Sequence, residues 1–335
     1  MRDDVTTNAI VQRVLRESRI PELIEVLTER ISMTDLQSLL LEIYKRRAAK
    51  LSAPAVLKQY QENRFVQPAN ISPQRCIELD QLAYSLLPVE FEPVELSPVS
   101  PLGTCSVLGT VDQNNILATI RNTEVCSDST NVLALECATR RKRAREQKAL
   151  RDIKLCASHR LVRGQLFKGP GMVQHFRVFS LCTAGTDRGN CVFEIEALFD
   201  QIDFYIRLLL ESRRVGFRVG LIRVTITPFA DGQGEILEQE VTRKLAGKHP
   251  EVTFEFDQER QSGRGYYVWA GFHVMATDSG NKEWFLVDGG FTNWTQLLLS
   301  NRKERLLISG LGTERLLAYF GNPMNSDITG ATSGV

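Results

Sequence analysis

Long apolar runs are missing from this chain: nothing in it approaches the roughly 18–20 consecutive apolar residues that a membrane helix needs. Its opening, MRDDVTTNAIVQRVL, is acidic and amphipathic, which excludes a secretory signal or transit peptide and makes the cytoplasm the expected compartment. A charge surplus is missing too. With 41 Lys and Arg against 40 Asp and Glu, the formal net charge is +1, whereas proteins that live on a polyanion usually carry a basic excess. The seven cysteines (Cys76, Cys105, Cys126, Cys137, Cys156, Cys182 and Cys191) are odd in number and form no CxxC pair. That excludes a disulfide scaffold and a spaced zinc site, and suits small buried hydrophobes in a reducing compartment. There is no P-loop, GxGxxG, HExxH or GxSxG, and no Cys or Ser nucleophile is indicated.

What is present is an ordinary globular composition, 43% hydrophobic and 24% charged, with enough chain for one large domain or two modest ones. Residues 1–70 form a helical N-terminal module: IVQRVLRESRIPELIEVLTERI and TDLQSLLLEIYKRRAAKL place apolar residues at i, i+3, i+4 and i+7. Thr34-Asp35 reads as the N-cap of the second run and Pro54 as the limit of its far end. After QPANISPQ comes a further amphipathic helix, RCIELDQLAYSLLP. Residues 89–110, rich in proline and glycine, read as strands and turns. Helices are expected over 131–151, 192–214 and 312–319, and strands over 155–163, 173–182, 219–227, 252–257, 266–276 and 283–288. The fold class expected is α+β, a mostly antiparallel sheet interleaved with long helices. A polar tail, 323–335, is expected to fray. The basic run Arg140–Arg143 with Arg145, Lys148 and Arg151 reads as a solvated helix face or as an edge facing phosphate or RNA.

Three elements could carry chemistry. In ISGLGTERLLAYF a strand leads through Gly310 and Gly312 into a helix bearing Glu314 and Arg315; the glycines let backbone approach a ligand, and the arginine can reach a base or phosphate. In LCASHRLVRGQLFKGPGMVQHFRVFSL two strands flank a Gly-Pro-Gly turn, with Arg163 placed for a bidentate phosphate contact. His159 and His175 in this stretch read as structural. In GRGYYVWAGFHVMATDSGNKEWFLVDGGFTNW, Tyr266 and Tyr267 open a strand, so that one packs inward while its neighbour lines a cavity.

In their order these elements resemble a class II aminoacyl-tRNA synthetase catalytic core, closest to the histidyl type and its tRNA-independent paralogues, over residues 72–322. GLGTERLL resembles motif 3, and HRLVRGQ…VQHFRVFSL resembles motif 2 with its Phe-Arg-x-Glu core. GRGYYVWAGFHV…VDGGFTNW resembles the histidyl signature Arg-Gly-Leu-Asp-Tyr-Tyr-Thr-Gly and the later Gly-Gly-Arg-Tyr-Asp. RNTEVCSDSTNVLALECAT falls where that family has Arg-Pro-Glu-Gly-Thr. The resemblance implies ATP with one or more Mg²⁺ ions, and no dedicated metal-ligating set on the protein. Arg163 would sit on the α-phosphate and Arg315 at the γ-phosphate end, both as catalytic groups; Gln165, Phe176, Gly310 and Gly312 would complete the nucleotide site. Arg264, Tyr266 and Tyr267 would border a carboxylic substrate, with Asp128 and Thr130 near its amino group. A homodimer formed through residues 72–97, with Pro93 or Pro98 as the motif 1 proline, is implied as well.

The chain departs from the pattern at Gln165, which replaces the motif 2 glutamate, and at Phe291 and Asn293 within the Gly-Gly-Arg-Tyr-Asp segment. Val268-Trp269-Ala270-Gly271 replaces Thr-Gly, which argues against histidine as substrate. About fifteen residues follow motif 3, too few for an anticodon-binding domain, so tRNA is not an expected partner. Three functions follow from this. One is an enzyme activating an amino or carboxylic acid as its adenylate for a non-tRNA acceptor. Another is a ligand-sensing regulatory subunit like the histidyl-type paralogue of ATP phosphoribosyltransferase. The third is an interaction protein with a protein partner on the N-terminal helices.

Overall fold

The computed structural model describes residues 8–149, 151–165, 174–230 and 232–321. By contact they divide into two compact units, one of residues up to 64 together with 118–123, the other of 65–117 and the residues from 124 onward. The Gly-Pro-Gly turn at 169–171 and the polar tail at 323–335 lie outside the described residues.

The first unit is built from capped helices. Asn8 accepts from the amides of Ile10 and Val11 to start α1 (Ala9–Ser18). Ser32 caps α2 (Met33–Ala48) through the Asp35 amide, and Ser52 caps α3 (Ala53–Glu62) through that of Ala55. Thr34-Asp35 therefore does not begin the second helix. The Ser32 hydroxyl, two residues earlier, satisfies the first-turn donor instead. Pro54 does not end that helix either; it occupies the first turn of α3, where a missing N–H leaves no bond unmade.

The second unit is an α+β layer structure around an eight-stranded sheet. Its strands are β1 (Phe91–Pro93), β2 (Ile153–Val162), β3 (His175–Thr186), β4 (Ile222–Pro228), β5 (Val252–Phe256), β6 (Ala270–Thr277), β7 (Glu283–Thr292) and β8 (Glu304–Gly312). They lie in the order β1-β2-β3-β8-β7-β6-β4-β5. All inner pairings are antiparallel, and the edge pairs β1–β2 and β4–β5 are parallel. The expectation of strands and turns across 89–110 is corrected by a short helix, Thr104–Leu108. Glu124, wholly buried, fixes that helix by accepting from the amides of Gly103 and Cys105, both at 2.8 Å.

One face of the sheet carries the main core. The helix α6 (Val192–Ser212) lays Leu198, Ile202, Phe204, Tyr205, Leu208 and Leu209 there with no exposed surface. Burial of each such side chain is worth about 1.5–3 kcal/mol. Its polar atoms are matched across the interface: Ser309 donates to Gln201 at 2.6 Å, Gln201 donates to Thr183 at 2.9 Å, and the Tyr205 hydroxyl lies 2.9 Å from that of Ser309. The other face is partly covered by α5 (Ser129–Glu146) and α7 (Trp294–Leu299), whereas α4 (Pro73–Leu86) packs on α6 and on α8 (Thr313–Phe320) in the main core. All seven cysteines are free and all but Cys191 are buried, with burial pushing the Cys137 and Cys156 thiols up to about 12. They are packing residues.

Neither reading of the basic run describes Arg141. It is 1% exposed and lies against the buried carboxylate of Glu304. Arg140 pairs with Glu136 and Glu92, and Arg145 reaches Glu304 at 2.6 Å. Arg140, Arg141 and Arg145 are thus held in ion pairs, while Lys142, Arg143, Lys148 and Arg151 are exposed.

Candidate functional site

Because strand side chains alternate between faces, Ser309 points into the α6 core and Gly310 faces the other way. Sheet register sets Gly310 beside Ser180 on β3 and beside Asp288 on β7, and Asp288 in turn beside His273 on β6. Ser180, Gly310 and Asp288 of this row lie on the floor of a cavity of about 830 Å³. Gly310 and Gly312 leave the floor without side chains; a Cβ on Gly310 would stand 2.9 Å from Val178 Cγ1.

One wall is the start of α5. Asp128 caps it, accepting from the Thr130 amide at 2.9 Å and the Thr130 hydroxyl at 2.7 Å, and the Ser129 and Ser180 hydroxyls, 2.6 Å apart, tie this end to the floor. At the end of β2, Arg163 donates to the Ser127 carbonyl at 3.2 Å, lies 3.9 Å from Asp128 and stands over the Phe176 ring at 5.1 Å. Opposite, in the first turn of α8, Glu314 pairs with Arg160 at 2.7 Å and Arg315 donates to the Phe285 carbonyl at 2.8 Å. Arg177, on β3, adds a third guanidinium to the lining; Asp80 and Ser158 hold it at 2.8 and 3.2 Å.

The last wall is the segment before β6. The strand expected from residue 266 begins only at Ala270, because Gly263 and Gly265 both take positive φ and coil the chain. Tyr266 and Tyr267 consequently do not alternate across a sheet. Their rings meet edge to face at 5.0 Å and both border the cavity. Tyr267 lies flat over Gly290, where a Cβ would come within 2.5 Å of the ring. We expect Gly290→Ala to displace that ring and cost about 1–3 kcal/mol by overpacking, read as a lower urea midpoint.

Of the residues singled out from sequence, Asp128, Thr130, Arg163, Gln165, Phe176, Tyr266, Tyr267, Gly310, Gly312 and Arg315 line this one cavity. Arg264 is not among them; its guanidinium donates to the carbonyls of Arg260 and Gln258, both at 3.1 Å. His175 bonds Arg160 and the Gln67 carbonyl, and His159 is buried, which lowers its pKa; both are structural.

Three groups escaped the sequence reading: Arg177, Asp288 and Arg260. Arg260, 6% exposed, donates to Asp288 at 2.9 Å and stands 5.7 Å from the centre of the Tyr267 ring. Tyr267 donates its hydroxyl to Asp288 at 3.0 Å, and His273 Nε2 lies 3.3 Å away. Burial acts to raise the Asp288 carboxyl, but the His273 hydrogen bond and the Arg260 charge outweigh it and hold the group below its ordinary value. A carboxylate inside the otherwise apolar strand FLVDGGF was the available signal.

No family model and no curated protein matches the chain. Solved structures do. An apo histidyl-tRNA synthetase from S. aureus is 15% identical, with a TM-score of 0.53 over 75% of this chain and 67% of that one. An ATP phosphoribosyltransferase regulatory subunit/histidyl-tRNA synthetase from Bacillus halodurans is 12% identical, with a TM-score of 0.58 over 78% and 83%. A histidine–tRNA ligase subunit from Alicyclobacillus acidocaldarius is 11% identical, with a TM-score of 0.53 over 76% and 95%. The fold is that of class II synthetases. Among the described residues, no helix is long and apolar enough to cross a membrane.

Proposed function

We propose that the cavity binds ATP together with a small amino or carboxylic acid and joins them as an acyl-adenylate, for transfer to an acceptor other than tRNA. The observation that carries this reading is the convergence of Arg163, Arg315 and Phe176 on one glycine-floored cavity that also holds Asp128 and Tyr266. In the reaction, a carboxylate oxygen forms a bond to the α-phosphorus while the bond from that phosphorus to the bridging oxygen of the β-phosphate breaks. Pyrophosphate leaves with the electron pair, and no proton moves. Arg163 would offset the charge that grows on the α-phosphate, and Arg315 would hold the terminal phosphate in line. Phe176 lines the same cavity and offers an aromatic contact for the base.

The donor set does not fit a metal ion caged by protein. Among the described residues no three His, Cys, Asp or Glu side chains gather to hold one. The three cavity carboxylates are engaged: Asp128 as a helix cap, Asp288 by Arg260 and Tyr267, Glu314 by Arg160. Magnesium therefore belongs with the phosphates of ATP. Homodimer formation is part of the same proposal.

That engagement, with Gln165 in place of an acid, favours a second reading: a regulatory subunit that binds the same ligands without turnover, as binding tolerates losses that catalysis does not. Amino-acid-dependent exchange of pyrophosphate into ATP separates the two. Exchange supports adenylation. Binding without exchange, across all twenty amino acids, supports regulation.

A further inference from the structure

Among the described cavity carboxylates, Asp288 is held by three neighbouring side chains, Arg260, Tyr267 and His273. Arg260 is buried beneath the Tyr267 ring, Tyr267 is itself 5% exposed, and His273 stands beside Asp288 on the neighbouring strand. The Asp288 side chain nonetheless keeps 43% of its surface accessible, and it lines the cavity. An ionised carboxylate accepts about four hydrogen bonds. Arg260 and His273 approach Oδ1, and Tyr267 approaches Oδ2. Three contacts against that capacity leave one acceptor position, on a side chain that lines the cavity.

Position along β7 separates this acceptor from the cationic end of the site. Arg315 is anchored on the Phe285 carbonyl; Phe285 and Asp288 face Met275 and His273 across an irregular β6–β7 pairing, two paired positions and so roughly 7 Å apart at about 3.3 Å per residue. Arg163 and Arg177 come from β2 and β3, beyond β8 on the other side of the floor. A ligand whose anionic groups meet the arginines would extend toward Asp288 with its remaining end. An apolar end there would strip water from an ionised carboxylate without replacing the lost hydrogen bond, at a cost that selects against it.

We infer that Asp288 is the specificity-determining residue of this cavity, and that the acid it takes carries an N–H or O–H donor on its side chain. Arg260 already balances the Asp288 charge, so a neutral donor meets the requirement as well as an ammonium group does. Tyr267 and Arg260 act as positioning residues that hold the carboxylate toward the ligand. This rests on the cavity being the acid-binding site of the proposed function, but it does not depend on turnover.

The test is direct binding, by calorimetry in the presence of Mg²⁺ and a nonhydrolysable ATP analogue, on the whole chain. Lysine, serine, threonine, asparagine and histidine are the donor-bearing ligands; leucine, methionine and norvaline are the apolar ones. The wild type is expected to prefer at least one donor-bearing amino acid by about tenfold or more, the usual worth of a hydrogen bond to a charged group. Asp288→Asn, nearly isosteric, should abolish that preference by weakening the preferred ligand while apolar affinities stay within about threefold of one another. Tyr267→Phe keeps the ring, removes one positioning hydrogen bond and should narrow the preference without eliminating it. Lysine as the preferred ligand would mark the donor as ammonium; serine, threonine or asparagine would mark it as neutral. Preference for an apolar acid, an unaltered preference in a folded Asp288→Asn chain, or no amino acid bound at all would overturn the inference. Binding with no pyrophosphate exchange would remove adenylation alone and leave the assignment of Asp288 standing.

Discussion

Glu304→Ala is expected to destabilise the chain by about 3–5 kcal/mol, the cost of leaving a buried charge without its partner. Glu304 has no exposed surface and begins β8, the strand that leads to the cavity floor. Its two oxygens take Arg141 Nε and Nη2, each at 3.0 Å, and Arg145 Nη2 at 2.6 Å. Arg141, equally buried, is further held by the Arg151 carbonyl at 2.7 Å and by Thr186. Removing the carboxylate strands the Arg141 guanidinium in a dry interior, while Arg145, 32% accessible, can turn to water. Arg141→Ala should cost a comparable amount. The double replacement Arg141→Met with Glu304→Leu should recover most of the loss, since a buried pair exchanged for apolar groups is often neutral. Urea midpoints at constant slope read all three; urea is chosen because it does not screen charge.

Loss of Arg163 should be as severe for chemistry as loss of Glu304 is for stability. Arg163→Ala is expected to lower amino-acid-dependent pyrophosphate exchange by about 10²–10³-fold, the size usual for one preorganised group facing developing charge. The side chain is 38% accessible and rests on Phe176, so its removal should leave the urea midpoint nearly unchanged. Arg163→Lys should restore only part of the rate, because an ammonium keeps the charge and loses the planar fork. Full activity in a folded Arg163→Ala chain would show the guanidinium to be a bystander.

Much of the architecture is readable from residue pattern. The helix expected over 192–214 is Val192–Ser212, and the glycine-floored turn into the Arg315 helix lies where the motif placed it. Period and punctuation carry such elements. Tyr266 and Tyr267 were misplaced because local aromatic content suggests a strand, whereas Gly263 and Gly265 coil the backbone before Ala270. Arg141 could have been found. Ala134, Cys137, Ala138, Arg141 and Ala144 share one stripe of α5, and an arginine on an apolar stripe announces a buried partner. Arg260 gave no such sign, because its polar loop has no period and its partner Asp288 is 28 residues away. The site is therefore half legible: residues within motifs appear, and residues joined only by the fold do not.

The cavity is proposed as a nucleotide site whose terminal phosphate meets the α8 arginine, Arg315. Calorimetric titration of the whole chain with ATP and Mg²⁺, beside Arg315→Ala of equal stability, tests it most directly. The expected result is saturable binding tighter than about 1 mM, weakened by about tenfold or more in the variant. No heat of binding at that concentration, or equal affinity in the two proteins, would contradict the assignment and turn the search to protein partners.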